Sequence, residues 1–139
     1  MEQRFQYRSV IQEVPAIRRN LSALKVQWEI PKSEFKQILF IAEELFSNII
    51  RYAFEDTREH IVELAMKKEP DHIILEFIDD GIPFDPLNYQ QAGHSDPASS
   101  ESGGMGLSLV RTFSDSISYQ RIQNKNHLEI TKWIKSAGK

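Results

Sequence analysis

Apolar residues recur along this chain with two different periods. Phe5 and Tyr7 alternate with polar neighbours, which predicts a strand over residues 4–10. Pro15 then opens a stretch in which Ile17, Leu21, Leu24 and Trp28 keep helical spacing. Glu29-Ile30-Pro31 breaks it. A stronger helical pattern runs from about Ser33 to Phe54, its stripe built on Phe35, Ile38, Ala42, Leu45, Ile49 and Ala53. Period two returns at about 60–68, with Val62, Leu64 and Met66 on one face, and at 72–79, with Ile73, Leu75 and Phe77. Glu69-Pro70-Asp71 joins these runs as a hairpin turn. Residues 80–104 are rich in Gly, Pro, Ser, Asn and Asp and read as a long loop. Helical spacing resumes over Leu107–Phe113, and 117–122 with 127–134 form a closing hairpin. The order β-α-α-β-β-loop-α-β-β predicts an α+β two-layer sandwich, a mixed, mostly antiparallel sheet with helices on one face. One domain spanning 1–139 is expected, without internal repeats.

Composition narrows the function. The chain has 139 residues and no Cys, which excludes disulfides, thiolate zinc sites and Cys nucleophiles. No apolar run approaches the roughly 20 residues of a membrane helix, and the first residues lack the apolar core of a signal peptide. A cytoplasmic protein without membrane contact is expected. A net charge of −3 argues against nucleic acid as a partner. The charge is also segregated: from Glu69 to Val110 there are eight acidic residues and no Lys or Arg. An acidic middle either is a solvated face or carries a site whose cation is a metal ion.

Three short motifs bear on that choice. Glu44 and Asn48 stand four apart on one helix face, so their side chains lie one above the other. An amide oxygen is a hard ligand suited to Mg²⁺, and a carboxylate can accept a proton; taken alone, the pair is equally an ordinary polar helix face. Asp79, at the end of an apolar strand in Ile78-Asp79-Asp80-Gly81-Ile82-Pro83-Phe84-Asp85, can accept from an exocyclic amine. Gly81 permits close approach of the backbone, although Asp-Gly is also a common turn. Gly103-Gly104-Met105-Gly106-Leu107 ends the long loop and opens a helix, where free N–H groups suit an anion. It lacks the Gly-Lys-Ser/Thr of a P-loop and does not complete a dinucleotide fingerprint.

In this order the three motifs resemble those of the GHKL ATPases, the superfamily of histidine kinases and gyrase. Glu-Glu-Leu-Phe-Ser-Asn, ending at Asn48, is similar to its asparagine box, residues 79–86 to its first glycine box and residues 103–115 to its second. Within it, the short chain, the DxGxPFDP variant of the first glycine box and the run from Gly103 through Tyr119 are most similar to the anti-sigma-factor serine/threonine kinases of bacterial partner switches. The resemblance covers roughly residues 5–134. It implies the Bergerat, histidine-kinase-like fold, ATP and Mg²⁺ as ligands, and a role for each matching residue. Asn48 would coordinate Mg²⁺, and Glu44 would act as general base toward an acceptor hydroxyl. Asp79 would accept from the adenine amino group, helped by a water shared with Thr131. Gly81 would leave space for adenine, and Gly104 and Gly106 would let a lid close over the phosphates. It further implies a homodimer that binds a sigma factor and phosphorylates a Ser or Thr of a small antagonist protein.

One departure bears on catalysis. Where such kinases often carry a basic residue just before the glycine pair, this chain has Glu101 and Ser102. Phosphoryl transfer uses cations to hold developing charge; Arg111, one turn beyond the glycine motif, either reaches the site or is a solvated helix residue. The alternative expectation is therefore a non-catalytic, ATP-gated module that sequesters a sigma factor or another regulator.

Overall fold

The computed structural model describes residues 1–87 and 97–134. Five strands form one sheet: β1 (Glu2–Arg8), β2 (Ile61–Lys68), β3 (His72–Asp79), β4 (Ser116–Ile122) and β5 (Lys125–Trp133). Their spatial order is β1-β2-β3-β5-β4. All four pairings are antiparallel, so the sheet has no parallel pair among the described strands. Among the described residues three long α-helices accompany it: α1 (Val14–Gln27), α2 (Lys32–Tyr52) and α3 (Pro97–Phe113). The α+β sandwich read from the sequence is what forms.

Strand alternation decides the layers. Tyr7, Val62, Leu64, Ile73, Leu75, Phe77, Leu128 and Ile130 share one face and are buried. The buried stripes of α1 (Ile17, Leu21, Leu24) and α2 (Ile38, Ala42, Leu45, Ile49) close on that face. The other sheet face carries Arg4, Glu63, Glu76 and Glu129 and stays open, with an ion pair of 2.6 Å between Arg4 and Glu63 across β1 and β2. Arg18 of α1 holds Glu43 of α2 through both carboxylate oxygens, at 2.8 and 3.0 Å. α1 ends where Glu29 takes a positive φ of 53°, the break read from Glu29-Ile30-Pro31.

α3 departs from expectation. The loop predicted through residue 104 ends by residue 97, and the helix already includes Gly103, Gly104 and Gly106. The glycines therefore lie inside a helix instead of opening one, and their N–H groups fall within its hydrogen-bond ladder. Leu107 and Val110 anchor α3 in the core, and Phe113 meets Phe40 of α2 edge-to-face at 5.7 Å. Residues 88–96 of the long loop lie outside the described residues.

Candidate functional site

The site is assembled along α2. Glu44 and Asn48 fall four residues apart, and the helix brings them into contact. The Asn48 amide nitrogen donates to the Glu44 carbonyl at 2.8 Å and to Glu44 Oε2 at 3.0 Å. Asn48 is fully buried, on the edge of the apolar stripe. Its Oδ1 is the one buried side-chain polar atom among the described residues without a partner. An orphaned buried amide oxygen costs roughly 1–3 kcal/mol, and such groups call for a reason. Both donor hydrogens are committed to Glu44, so the oxygen is aimed elsewhere by the same bonds. It suits a hard divalent cation. Asn48 thus fits the Mg²⁺ expected of it, offering one hard oxygen that such an ion would take.

Gly106 explains how α3 meets this pair. A Cβ there would stand 2.2 Å from Glu44 Oε2 and 2.3 Å from its Cδ. The absent side chain makes room for the carboxylate, so α3 covers Glu44 directly. Gly104 lies two residues earlier in the same helix. Arg111 does not stand free beside the site: its Nη2 donates to the Leu87 carbonyl at 3.3 Å.

Asp79 lies at the other end of the site. It is buried, and Oδ1 accepts from Gly81 N at 2.8 Å and from Asn126 Nδ2 at 2.9 Å. Burial raises the Asp79 pKa above the ordinary carboxylate value, opposed by these two donors. Gly81 also packs closely on α2: a Cβ there would lie 2.3 Å from the Ala53 carbonyl oxygen, at the C-terminal end of that helix. Ile82 N donates to that same carbonyl at 2.8 Å. This contact ties the Asp79 loop to α2. With 1.5 Å of rise per residue, Asn48 lies about 7 Å and Glu44 about 13 Å back along the helix from Ala53. The Asp79 loop and the Glu44–Asn48 pair thus meet one helix at points along its length.

Thr131 does not join them. It pairs with Ile74, whereas Asp79 pairs with Asn126. Five residues of strand separate the two positions, about 17 Å, and the odd offset puts Thr131 on the open face of the sheet. The place beside Asp79 belongs to Asn126, which sequence reasoning missed. The signal was present: Asn126, Leu128 and Ile130 alternate on the core face. The hairpin before them, with Gln123 and Asn124 at φ 51° and 65°, fixes that phase. Tyr119 and Arg121, on the same face of β4, were missed as well.

A recess of about 520 Å³ is lined by Gln6, Glu63 and Ile78 together with Asp79 and Asp80, so it reaches the Asp79 end of the site. Among the described residues, no three His, Asp or Glu side chains gather into a metal cage.

The comparison with known families now bears on this geometry. The model of the histidine kinase-like ATPase domain matches residues 8–132, nearly the whole chain. The chain belongs to the histidine kinase-like ATPase family. As a member, it is a nucleotide-binding domain of the ATPase type. It is also 33% identical over 93 residues to the serine/threonine-protein kinase BtrW of Bordetella bronchiseptica. That match covers 65% of this chain and 64% of the relative, so the chain spans about two-thirds of that protein's length. No helix among the described residues of this histidine kinase-like ATPase domain is long and apolar enough to cross a membrane.

Proposed function

We propose that this chain is an ATP-dependent protein serine/threonine kinase and anti-sigma regulatory factor that phosphorylates a small antagonist protein in a partner switch. The observation that carries the reading is the buried, unpartnered Oδ1 of Asn48 beside the Glu44 carboxylate. Likeness to a named serine/threonine kinase supports the same direction.

In this mechanism Asp79 accepts from the adenine amino group through Oδ2, because Oδ1 is already occupied. Asn48 would hold Mg²⁺, which when bound would offset phosphate charge in an acidic site. Glu44 takes the proton of the acceptor Ser or Thr hydroxyl, a contribution typically about 10²–10⁴ in rate. The α3 glycines let that helix approach the phosphates. The protein works in the cytoplasm as a homodimer, with the antagonist as phosphoacceptor and a sigma factor as the sequestered partner.

A second reading is favoured by one feature: Arg111 is spent on Leu87, and no Lys or Arg occurs from Glu69 to Val110. Without a cation near the γ-phosphate, the domain would bind ATP and gate a partner without transferring phosphate. Calorimetry and a phosphotransfer assay separate these readings. ATP should bind with Mg²⁺ and bind poorly in EDTA or to Asn48→Ala. A partner recovered from the native cell with bound ATP should be phosphorylated by the wild type. Glu44→Gln should keep nucleotide and partner binding and lose transfer. Equal ATP affinity in EDTA refutes the Asn48 assignment. If wild type and Glu44→Gln both bind the partner and neither transfers, the binding module is the better description.

A further inference from the structure

Asn126 is buried opposite Asp79 and makes more hydrogen bonds than any other side chain of the site. Its Nδ2 donates to Asp79 Oδ1 at 2.9 Å and to the Ile82 carbonyl at 2.8 Å. Its Oδ1 accepts from Phe84 N at 3.2 Å, from Arg121 Nη1 at 3.1 Å and from the Tyr119 hydroxyl. Arg121 Nη1 also donates to the Gly81 carbonyl at 2.7 Å. Every polar atom of the amide is committed, and the two ends are not interchangeable. A flipped amide would set its NH₂ against the Phe84 N–H and the Arg121 guanidinium, and its oxygen against two acceptors. The amide therefore has one orientation.

That orientation has a consequence for Asp79. Left alone, a carboxylate at a strand end can rotate and present either oxygen. Here Gly81 N and Asn126 Nδ2 together claim Oδ1. Oδ2 has no partner among the described residues and is the oxygen left for a ligand. The same amide fixes the carbonyl of Ile82 and the N–H of Phe84, so it also sets the path of the loop that follows Asp79.

We propose that Asn126 is the positioning residue for purine recognition: by immobilising Asp79 Oδ1 and the Gly81–Phe84 backbone, it aims Oδ2 at a 6-amino group and so sets the preference for adenine. Tyr119 and Arg121 hold Asn126 in turn. The inference rests on the nucleotide-binding reading above and adds to it a residue that never touches the amino group.

The test compares binding of Mg²⁺-ATP with binding of the triphosphate of purine riboside, which lacks the 6-amino group, to the full chain. The wild type should prefer ATP by about tenfold to a hundredfold, the worth of one hydrogen bond to a charged acceptor. Asn126→Asp keeps the shape but sets an oxygen against Asp79 Oδ1 and the Ile82 carbonyl. The preference should then fall to within about threefold, because ATP weakens and the analogue does not. A fold-only role would weaken both ligands by the same factor, and that outcome overturns the proposal. So does a folded Asn126→Asp that retains the wild-type preference. Where Asn126→Asp fails to fold, Tyr119→Phe removes a single donor to Asn126 Oδ1. It should lower the preference about threefold or more with the melting temperature nearly unchanged; an unchanged preference there overturns the proposal too. If the wild type does not distinguish the two triphosphates, the assignment of Asp79 itself is wrong, and the role of Asn126 falls with it.

Discussion

Gly81 and Gly106 both face a neighbour that a methyl group would strike, yet substitution by Ala should lower stability at the first and leave it nearly unchanged at the second. At Gly81 the new Cβ would stand 2.3 Å from the Ala53 carbonyl oxygen, 2.8 Å from its Cβ and 2.9 Å from its carbonyl carbon. These are atoms of the α2 terminus and cannot swing away. To restore an ordinary contact the loop must retreat by roughly 1 Å. That movement stretches the 2.8 Å bond from Ile82 N to the same carbonyl beyond hydrogen-bonding length. Overpacking typically costs about 1–3 kcal/mol and a lost hydrogen bond about 0.5–1.5. Reduced freedom of the unfolded chain returns about 0.4–1. The net loss is about 1–4 kcal/mol, or roughly 3–16 °C in Tm for a domain of this size. At Gly106 the struck atoms are the end of the Glu44 side chain, at 2.2, 2.3 and 2.7 Å, and that carboxylate can rotate. Its displacement forfeits the 3.0 Å bond from Asn48. Replacing Gly by Ala inside a helix returns about 1 kcal/mol. Gly106→Ala should therefore melt within about 4 °C of the wild type while displacing Glu44 from Asn48. Thermal unfolding followed by circular dichroism, without nucleotide, reads both. If Gly81→Ala melts within about 2 °C of the wild type, or Gly106→Ala is the more damaged of the two, the packing argument is wrong.

Two further predictions concern pH. The folded-state pKa of Asp79 is raised, chiefly by burial; its contribution to stability is thus fully present below the unfolded Asp value and is lost as pH rises through the folded one. Asp79→Asn should consequently melt higher than the ligand-free wild type at neutral pH, by a margin that shrinks toward pH about 4, while losing ATP. A margin that grows on acidification counts against it. His60 stacks on Phe54 at 4.3 Å and lies between Asp56 at 2.8 Å and Asp80 at 3.2 Å. Its pKa is raised, first by the hydrogen bond to Asp56, then by the charges of Asp56 and Asp80, against the lowering effect of burial. The stability it supplies is complete below its unfolded value near 6.5 and disappears as pH rises through the folded one. His60→Gln should flatten the decline in Tm between about pH 6 and 8; an unaltered slope refutes that account.

The sequence by itself determined the elements of this protein and the local part of its site. Helical and strand periods are short-range properties, and the stripes of Ile17, Leu21 and Leu24 or of Leu64, Phe77 and Ile130 needed no partner to be read. Glu44 and Asn48 were legible for the same reason, because four residues on a helix fix a contact whatever surrounds it. Reading residues 80–104 as one loop failed at its C-terminal end. Gly and Ser disfavour helix locally, but burial of Leu107 and Val110 and the fit of Gly106 over Glu44 favour it. Only the tertiary structure decided which strand residue accompanies Asp79. Thr131 and Asn126 both lie in the last strand, but strand pairing has a period of two, and an odd shift of register exchanges the faces of the sheet. That register is set by the whole sheet and by the turn at Gln123-Asn124, 44 or more residues from Asp79 along the chain. The same long-range closure placed Gly81 against Ala53 and left Asn48 Oδ1 buried without a partner. Which polar atoms remain unsatisfied is a property of everything packed around them, and no local pattern in the chain encodes it.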